Sequence, residues 1–293
     1  MKIATNKLSD LYEFYKTELL SVYDEDELYA IFELVCDHYL GYSKADTRLN
    51  FNGNLNQSDV LKIYDTAKAL TSGTPVQYIL GEAGFYNLKF NVNSSTLIPR
   101  PETEELVDLV IKQFNNHNSS LITILDIGTG SGCIPITLKK NLQQAKVTGI
   151  DISENALGVA KSNALKNKVD VEFLKIDILS NIPSSLFPFP FTIIISNPPY
   201  VLNSESKHME PRVLEHEPHL ALFVEDNDPI IFYKRIIDLC NEHLVEKGYL
   251  FFELNPLYAN DVKNYANDAK IFNFTEIIND MSGKARFFKA QKQ

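Results

Sequence analysis

A strand-like run, Ile193-Ile194-Ile195-Ser196, ends abruptly in Asn197-Pro198-Pro199-Tyr200. The tetrapeptide joins a carboxamide, two rings that stiffen the backbone and one aromatic face. The Asn197 oxygen and the Pro198 carbonyl are two hydrogen-bond acceptors on a turn whose proline φ angles are fixed. Such a pair can take both hydrogens of an NH2 group, while Tyr200 stacks on a planar acceptor. A nitrogen conjugated to a π-system suits this arrangement, because it is a poor nucleophile until its lone pair is aimed. Asn-Pro and Pro-Pro are also ordinary loop punctuation, so the four residues alone leave a plain turn open.

A second cluster is "LDIGTGSGCIP", with Asp126 at a predicted strand end and Gly128, Gly130 and Gly132 before a predicted helix. Glycines permit positive φ and close approach of a ligand to the backbone, and a helix start offers unpaired N–H groups. A phosphate-binding P-loop would end in Gly-Lys-Ser/Thr, and no lysine follows here. A dinucleotide fingerprint would need glycine or alanine where Cys133 stands. Asp151 in "VTGIDIS" closes the next predicted strand, about 20 residues on, where a carboxylate can accept two ribose hydroxyls. Asp177 in "LKIDIL" closes the third.

The elements that must carry these residues fall into two textures. Residues 1–75 read as a small helical bundle. "DEDELYAIFELVCDHYL" carries Leu28, Ile31, Phe32, Val35 and Tyr39 at helical spacing, and "SDVLKIYDTAKALTSG" places Ser58 as N-cap and Gly73 as stop. The bundle is acidic, with 7 Lys/Arg against 12 Asp/Glu. Residues 76–95 read as a β-hairpin linker. From 96 to 293 strand and helix patterns alternate, which predicts an α/β fold: a doubly wound sheet with helices on both faces. The last two strands are separated only by "MSGK", too short for a parallel crossover, so one must run antiparallel. "NNHNSS" at 115–120 and "PSSLFPFP" at 183–190 read as surface loops.

The chain of 293 residues has a formal net charge of −10, which disfavours a broad grip on nucleic-acid phosphates. Three cysteines, Cys36, Cys133 and Cys240, lie far apart with no metal-type spacing, as expected of a reducing compartment. No run reaches the roughly 20 apolar residues of a membrane span. The expectation is a cytoplasmic protein without a membrane segment. The histidines of "HMEPRVLEHEPH" (208–219) match no zinc spacing, and that stretch reads as a solvated loop near the substrate, with no metal.

The Asp-x-Gly-x-Gly-x-Gly pattern resembles motif I of class I S-adenosylmethionine-dependent methyltransferases. That resemblance implies a Rossmann-like seven-stranded sheet whose last strand is antiparallel. It implies that Asp126, Gly128, Thr129, Gly130, Ser131, Gly132, Asp151, Ile152, Asp177, Ile178 and Asn197 hold S-adenosyl-L-methionine, which leaves as S-adenosyl-L-homocysteine. Asp151 would meet the ribose, Asp177 the adenine amino group, and Ile178 the adenine ring. Asn197, Pro198, Pro199 and Tyr200 would receive the methyl acceptor. Asn-Pro-Pro-Tyr is shared by adenine-N6, guanine-N2 and glutamine-N5 methyltransferases.

"GTPVQYILGEAGFYNLKFNVNSSTLIPRPETEELVD" (73–108), with "SNPPYV", "EPRVLEHEPHLALF" and "GYLFFEL", narrows this further. These stretches resemble the peptide chain release factor N5-glutamine methyltransferases. The substrate this resemblance implies is the Gly-Gly-Gln glutamine of class I release factors, recognised with the helical bundle by a monomeric enzyme that binds no nucleic acid directly. Arg100 and Glu102 would lie near the cofactor mouth, or form a surface ion pair. A sister family acting on a ribosomal protein shares Asn-Pro-Pro-Tyr, but tends to lack the full Arg-Pro-Glu-Thr-Glu string. One departure from the family pattern is Ala285, where an aspartate usually precedes the arginine, here Arg286.

Overall fold

The computed structural model describes residues 6–115, 121–183, 185–187 and 189–293. Most of the 115–120 stretch therefore lies outside the described residues. The chain divides into two compact units, Met1–Gly81 with Glu210–His216, and Glu82–Met209 with Glu217–Gln293.

The first unit is helical: α1 (Leu8–Leu19), α2 (Glu25–Leu40), α3 (Lys44–Leu49), α4 (Gln57–Leu70) and α5 (Val76–Leu80). Asp24 caps α2 by accepting the Glu27 N–H at 2.8 Å, and Gly41 ends it in the left-handed region (φ 68°). For α4 the cap is Asn56 rather than Ser58. Its Oδ1 accepts the Asp59 N–H at 2.9 Å, so the helix starts two residues earlier than expected and ends at Leu70. Tyr15, Phe32, Leu28 and Ile63 are fully buried between the helices. The Tyr15 hydroxyl keeps its hydrogen bond by donating to the Ile63 carbonyl at 2.9 Å. Residues 76–80, expected to open the hairpin, form a helical turn instead. Pro75 precedes it and Gly81 closes it at φ 67°, so five residues lie between a helix-starting and a helix-ending residue.

The second unit begins with the hairpin β1 (Glu82–Phe85) and β2 (Leu88–Asn91), followed by α6 (Pro101–Phe114). Alternating elements follow: β3 (Thr123–Ile127), α7 (Cys133–Asn141), β4 (Lys146–Asp151), α8 (Glu154–Asn167), β5 (Glu172–Lys175) and β6 (Phe191–Ser196). Beyond them come β7 (Val201–Leu202), α9 (Pro211–His216), α10 (His219–Leu222), β8 (Phe223–Val224) and α11 (Ile231–His243). The chain closes with β9 (Leu244–Glu253), α12 (Ala259–Asp268), β10 (Phe272–Asn279) and β11 (Ala285–Lys292).

Seven strands form one sheet in the order β10-β11-β9-β6-β3-β4-β5. The last strand, β11, is antiparallel to both β9 and β10, and the other pairings are parallel. Both faces are covered, which explains the unbroken apolar run of β6. Ile193 and Ile195 enter the core under α6, α7 and α8, whereas Ile194 enters the opposite core under α11 and α12, all three fully buried. Burying each such side chain contributes about 1.5–3 kcal/mol.

Two loop expectations need correction. Within 183–190, Phe187 is buried edge-on against Phe191, with ring centroids 5.1 Å apart, because its apolar ring completes the core. The stretch 208–219 is not a plain solvated loop. It carries α9 and the start of α10, and α9 belongs to the helical unit. There Arg212 donates to Glu27 at 2.7 Å and its guanidinium lies 4.5 Å from the Tyr23 ring centroid.

Candidate active site

Strands β3 and β6 are adjacent and parallel, with Ile127 opposite Ser196. The Ser196 hydroxyl donates to the Ile127 carbonyl at 2.6 Å, locking their carboxyl ends side by side. The next residues, Gly128 and Asn197, therefore emerge together at the point where strand order reverses, the usual ligand crevice of such sheets. A cavity of about 350 Å³ opens there.

The glycine turn is held in place by φ angles of 76°, 53° and 80° at Gly128, Gly130 and Gly132, all left-handed. At Gly132 a Cβ would also stand 2.9 Å from the Ile136 Cδ1 and 3.1 Å from the Ala160 Cβ, so helices α7 and α8 close tightly behind the turn. Gly128 and Gly130 line the cavity, but Thr129, Ser131 and Gly132 do not. The Thr129 and Ser131 side chains are buried behind it.

Asp126 does not line the cavity either. Its carboxyl is fully buried beneath the turn, and neither oxygen has a hydrogen-bond partner. Burial pushes its pKa up to about 7. The nearby Thr129 hydroxyl opposes that rise and the charge of Asp151 adds to it. Asp126 thus sits beneath the turn, behind the residues that line the cavity.

Asp151, the last residue of β4, does reach the cavity. Its Oδ2 accepts the Gly130 N–H at 2.8 Å and its Oδ1 the Ser153 N–H at 2.8 Å. Burial raises its pKa, and the Ser153, Gly130 and Ile152 N–H groups pull it back. Asp177 also lines the cavity, two residues beyond the end of β5 rather than on it, and its Oδ1 accepts the Leu179 N–H at 2.9 Å. Ile152 and Ile178 supply apolar wall, and Ser95, Thr96 and Leu97 form part of the rim. Two carboxylates that accept diol and amino hydrogens, with aliphatic side chains between them, fit an adenosine group.

Asn197, Pro198 and Pro199 line the same cavity. The Asn197 Nδ2 donates to the Thr103 hydroxyl at 3.1 Å, and that hydroxyl donates to Glu253 Oε2 at 2.7 Å. Tyr200 does not line the cavity. Its hydroxyl donates to Glu253 Oε1 at 3.1 Å, and its ring packs against the core of α11 and α12. Burial raises the tyrosine pKa above the ordinary phenol range, with the neighbouring Glu253 charge adding to it.

Thr103 and Glu253 are the residues that sequence reasoning passed over. Glu253 ends a buried apolar strand in an acid, as β4 does in Asp151, and that was the available signal. Thr103 belongs to the Arg-Pro-Glu-Thr-Glu string, but nothing local marks its pairing with Asn197, 94 residues away.

Arg100 pairs with neither the cavity nor Glu102. Its guanidinium donates to Glu217, whose other oxygen accepts the Ile98 N–H at 3.2 Å. Glu217 is buried, so the segment that precedes α6 is tied to the one that precedes α10. Arg286, which follows Ala285, donates through Nε to Asp280 at 3.2 Å. The Ser282 hydroxyl, aided by the Lys284 N–H and Arg286, holds that aspartate down to about 2. An acid from the preceding turn thus partners the arginine. No group of histidine, cysteine or acidic side chains among the described residues could hold a metal, and no helix there is long and apolar enough to cross a membrane.

The methyltransferase small domain family matches residues 105–219. The release factor glutamine methyltransferase of Flavobacterium psychrophilum is 42% identical over 273 residues, covering 92% of this chain and 94% of that protein. The protein of that name in Bacteroides thetaiotaomicron is 38% identical over 279 residues, 95% of this chain and 98% of that one. Among solved structures, the hMettl16 catalytic domain with an RNA hairpin superposes at a TM-score of 0.55 and 16% identity, over 79% of this chain and 80% of that one. A likeness at that identity speaks for the fold alone. With the relatives matching nearly end to end, the chain belongs to the release factor glutamine methyltransferase family.

Proposed function

We propose that this chain transfers a methyl group from S-adenosyl-L-methionine to the side-chain amide nitrogen (N5) of the Gly-Gly-Gln glutamine of class I release factors. The observation that carries the reading is Asn197. Its nitrogen is held by Thr103, and its oxygen accepts no hydrogen bond among the described residues, in a cavity that also presents Asp151 and Asp177. The cofactor would supply an electrophilic methyl group.

The chain's own residues bind and orient. Asp151 is the acceptor for the ribose hydroxyls, Asp177 for the adenine amino group, and Ile152 and Ile178 enclose the base. Gly128 and Gly130 let the ligand reach the backbone. Thr129, Ser131 and Gly132 act from behind by fixing the turn, with Asp126 buried beneath it. Asn197 Oδ1 and the Pro198 carbonyl each accept one N–H of the substrate amide, which aims its lone pair for in-line attack. As charge develops on nitrogen, both oxygens stabilise it, and the methylated nitrogen then gives up one of its two protons to solvent to leave the neutral N5-methyl amide. Pro199 stiffens the turn, and Tyr200 closes its far end.

The enzyme works as a cytoplasmic monomer on this reading, with the helical unit recognising the release factor. The buried free cysteines support a reducing compartment. Incubation with labelled S-adenosylmethionine and purified release factor tests the proposal. Label should enter the wild-type factor and not a variant with alanine at the Gly-Gly-Gln glutamine. Equal labelling of both factors, or labelling of RNA or DNA only, refutes it.

A further inference from the structure

We infer that Thr103 and Glu253 are positioning residues that fix which way the Asn197 carboxamide faces, so that its oxygen and never its NH2 group is presented to the substrate amide. The inference rests on the amide-methylation reading above.

Counting hydrogens fixes the orientation. A carboxylate only accepts, and a hydroxyl has a single hydrogen to give. Glu253 is buried and takes two hydroxyls, Thr103 at 2.7 Å and Tyr200 at 3.1 Å. With its hydrogen committed to Glu253, the Thr103 oxygen can only accept from Asn197. The partner must therefore be Asn197 Nδ2, found at 3.1 Å. A flipped carboxamide would set two lone pairs against each other and turn its NH2 toward another NH2. One carboxylate thereby holds both ends of Asn-Pro-Pro-Tyr, Asn197 through Thr103 and Tyr200 directly. Asn255 reinforces the far end by donating Nδ2 to the Tyr200 carbonyl at 3.0 Å.

The direction of the chain of donors depends on Glu253 being ionised, since a protonated acid could donate to Thr103 and release its hydrogen. The charged and polar groups that face Glu253 are Thr103 and Glu102 from α6, Tyr200 beyond β6 and Arg286 from β11, while Tyr233 from α11 donates to its backbone carbonyl. Burial pushes the acid upward. The Glu102 charge adds to that rise, and the Thr103 and Tyr200 hydroxyls and the Arg286 charge oppose it without cancelling it.

The test compares Thr103→Val, which keeps the shape and loses the acceptor, with Thr103→Ser, which keeps the hydroxyl. Turnover on purified release factor should fall by about a hundredfold in T103V. In T103S it should stay near wild type, with cofactor affinity measured by calorimetry unchanged in both. In protein carrying 15N-labelled asparagine, the side-chain NH2 of Asn197, identified by its loss in N197A, should exchange with solvent faster in T103V only. Three outcomes overturn the inference: T103V turning over like wild type, T103S falling as far as T103V, or unaltered exchange of the Asn197 NH2 group. If wild type fails to label the release factor, the proposed function fails instead. The exchange measurement still decides the orientation of Asn197.

Discussion

Replacing Asp126 by asparagine keeps the side chain's shape and removes its charge, which isolates the cost of burying that carboxyl. Its pKa lies at about 7 against an ordinary 3.8, chiefly because no water reaches it. The folded chain therefore binds the proton more tightly than the unfolded chain. Between the two values the folded state holds more protons, and stability falls as pH rises through that window. A displacement of about three pH units, at about 1.4 kcal/mol per unit, amounts to about 4 kcal/mol over the whole range. Of this, about 2.5 kcal/mol falls between pH 5 and pH 8. Asp126→Asn has no such loss, so its stability relative to wild type should climb by that amount over the same interval. Urea unfolding of both proteins at pH 5, 6, 7 and 8 measures it, and titrating groups that do not feel the Asp126 charge cancel in the difference. A constant cost from the buried amide would displace one curve without changing the divergence. Parallel curves would refute the reasoning, because they would mean that Asp126 titrates alike in both states.

Asn197→Ala should bind cofactor as wild type does, by calorimetry, while methyl transfer falls by at least about a hundredfold. Lost affinity with intact turnover would reverse the role given to Asn197. Gly132→Ala must place a Cβ within 2.9 Å of Ile136 at φ 80°, and should cost about 2 kcal/mol or more in urea unfolding. Ile194→Ala empties a fully buried site between β6 and α11, and about 2–5 kcal/mol of lost stability is expected from chemical denaturation.

The parts of the site that depend on strand ends were legible in the sequence. Asp151 and Asn197 are where the break of a β-branched run puts them, and Gly128 and Gly130 face the same crevice because they follow the neighbouring strand. What sequence could not separate is front from back. Gly128 and Gly130 meet the cavity, whereas Thr129, Ser131 and Gly132 face the packing behind it, and alternation along a tight turn has no fixed period to read. Long-range pairs were equally hidden. Thr103 meets Asn197 and Arg100 meets Glu217 only because the sheet brings α6 and the later loops together. The short helix at 76–80 was missed because five residues are too few for a helical period, and only Pro75 and Gly81 mark it. At α4, Asn56 outcompeted Ser58 as cap simply by being reached first with a free N–H three residues ahead.

The discontinuity of the helical unit bears on how such proteins can be recombined. Because Glu210–His216 belongs with residues up to Gly81, its partners come from segments nearly two hundred residues apart in the chain. A genetic exchange with a single crossover near residue 81 would give a hybrid in which Arg212 loses the carboxylate of Glu27 and the ring of Tyr23. Only a double exchange that carries the seven-residue insert along leaves the unit whole. The two units are therefore inherited as one block more readily than they are shuffled, although each has its own core.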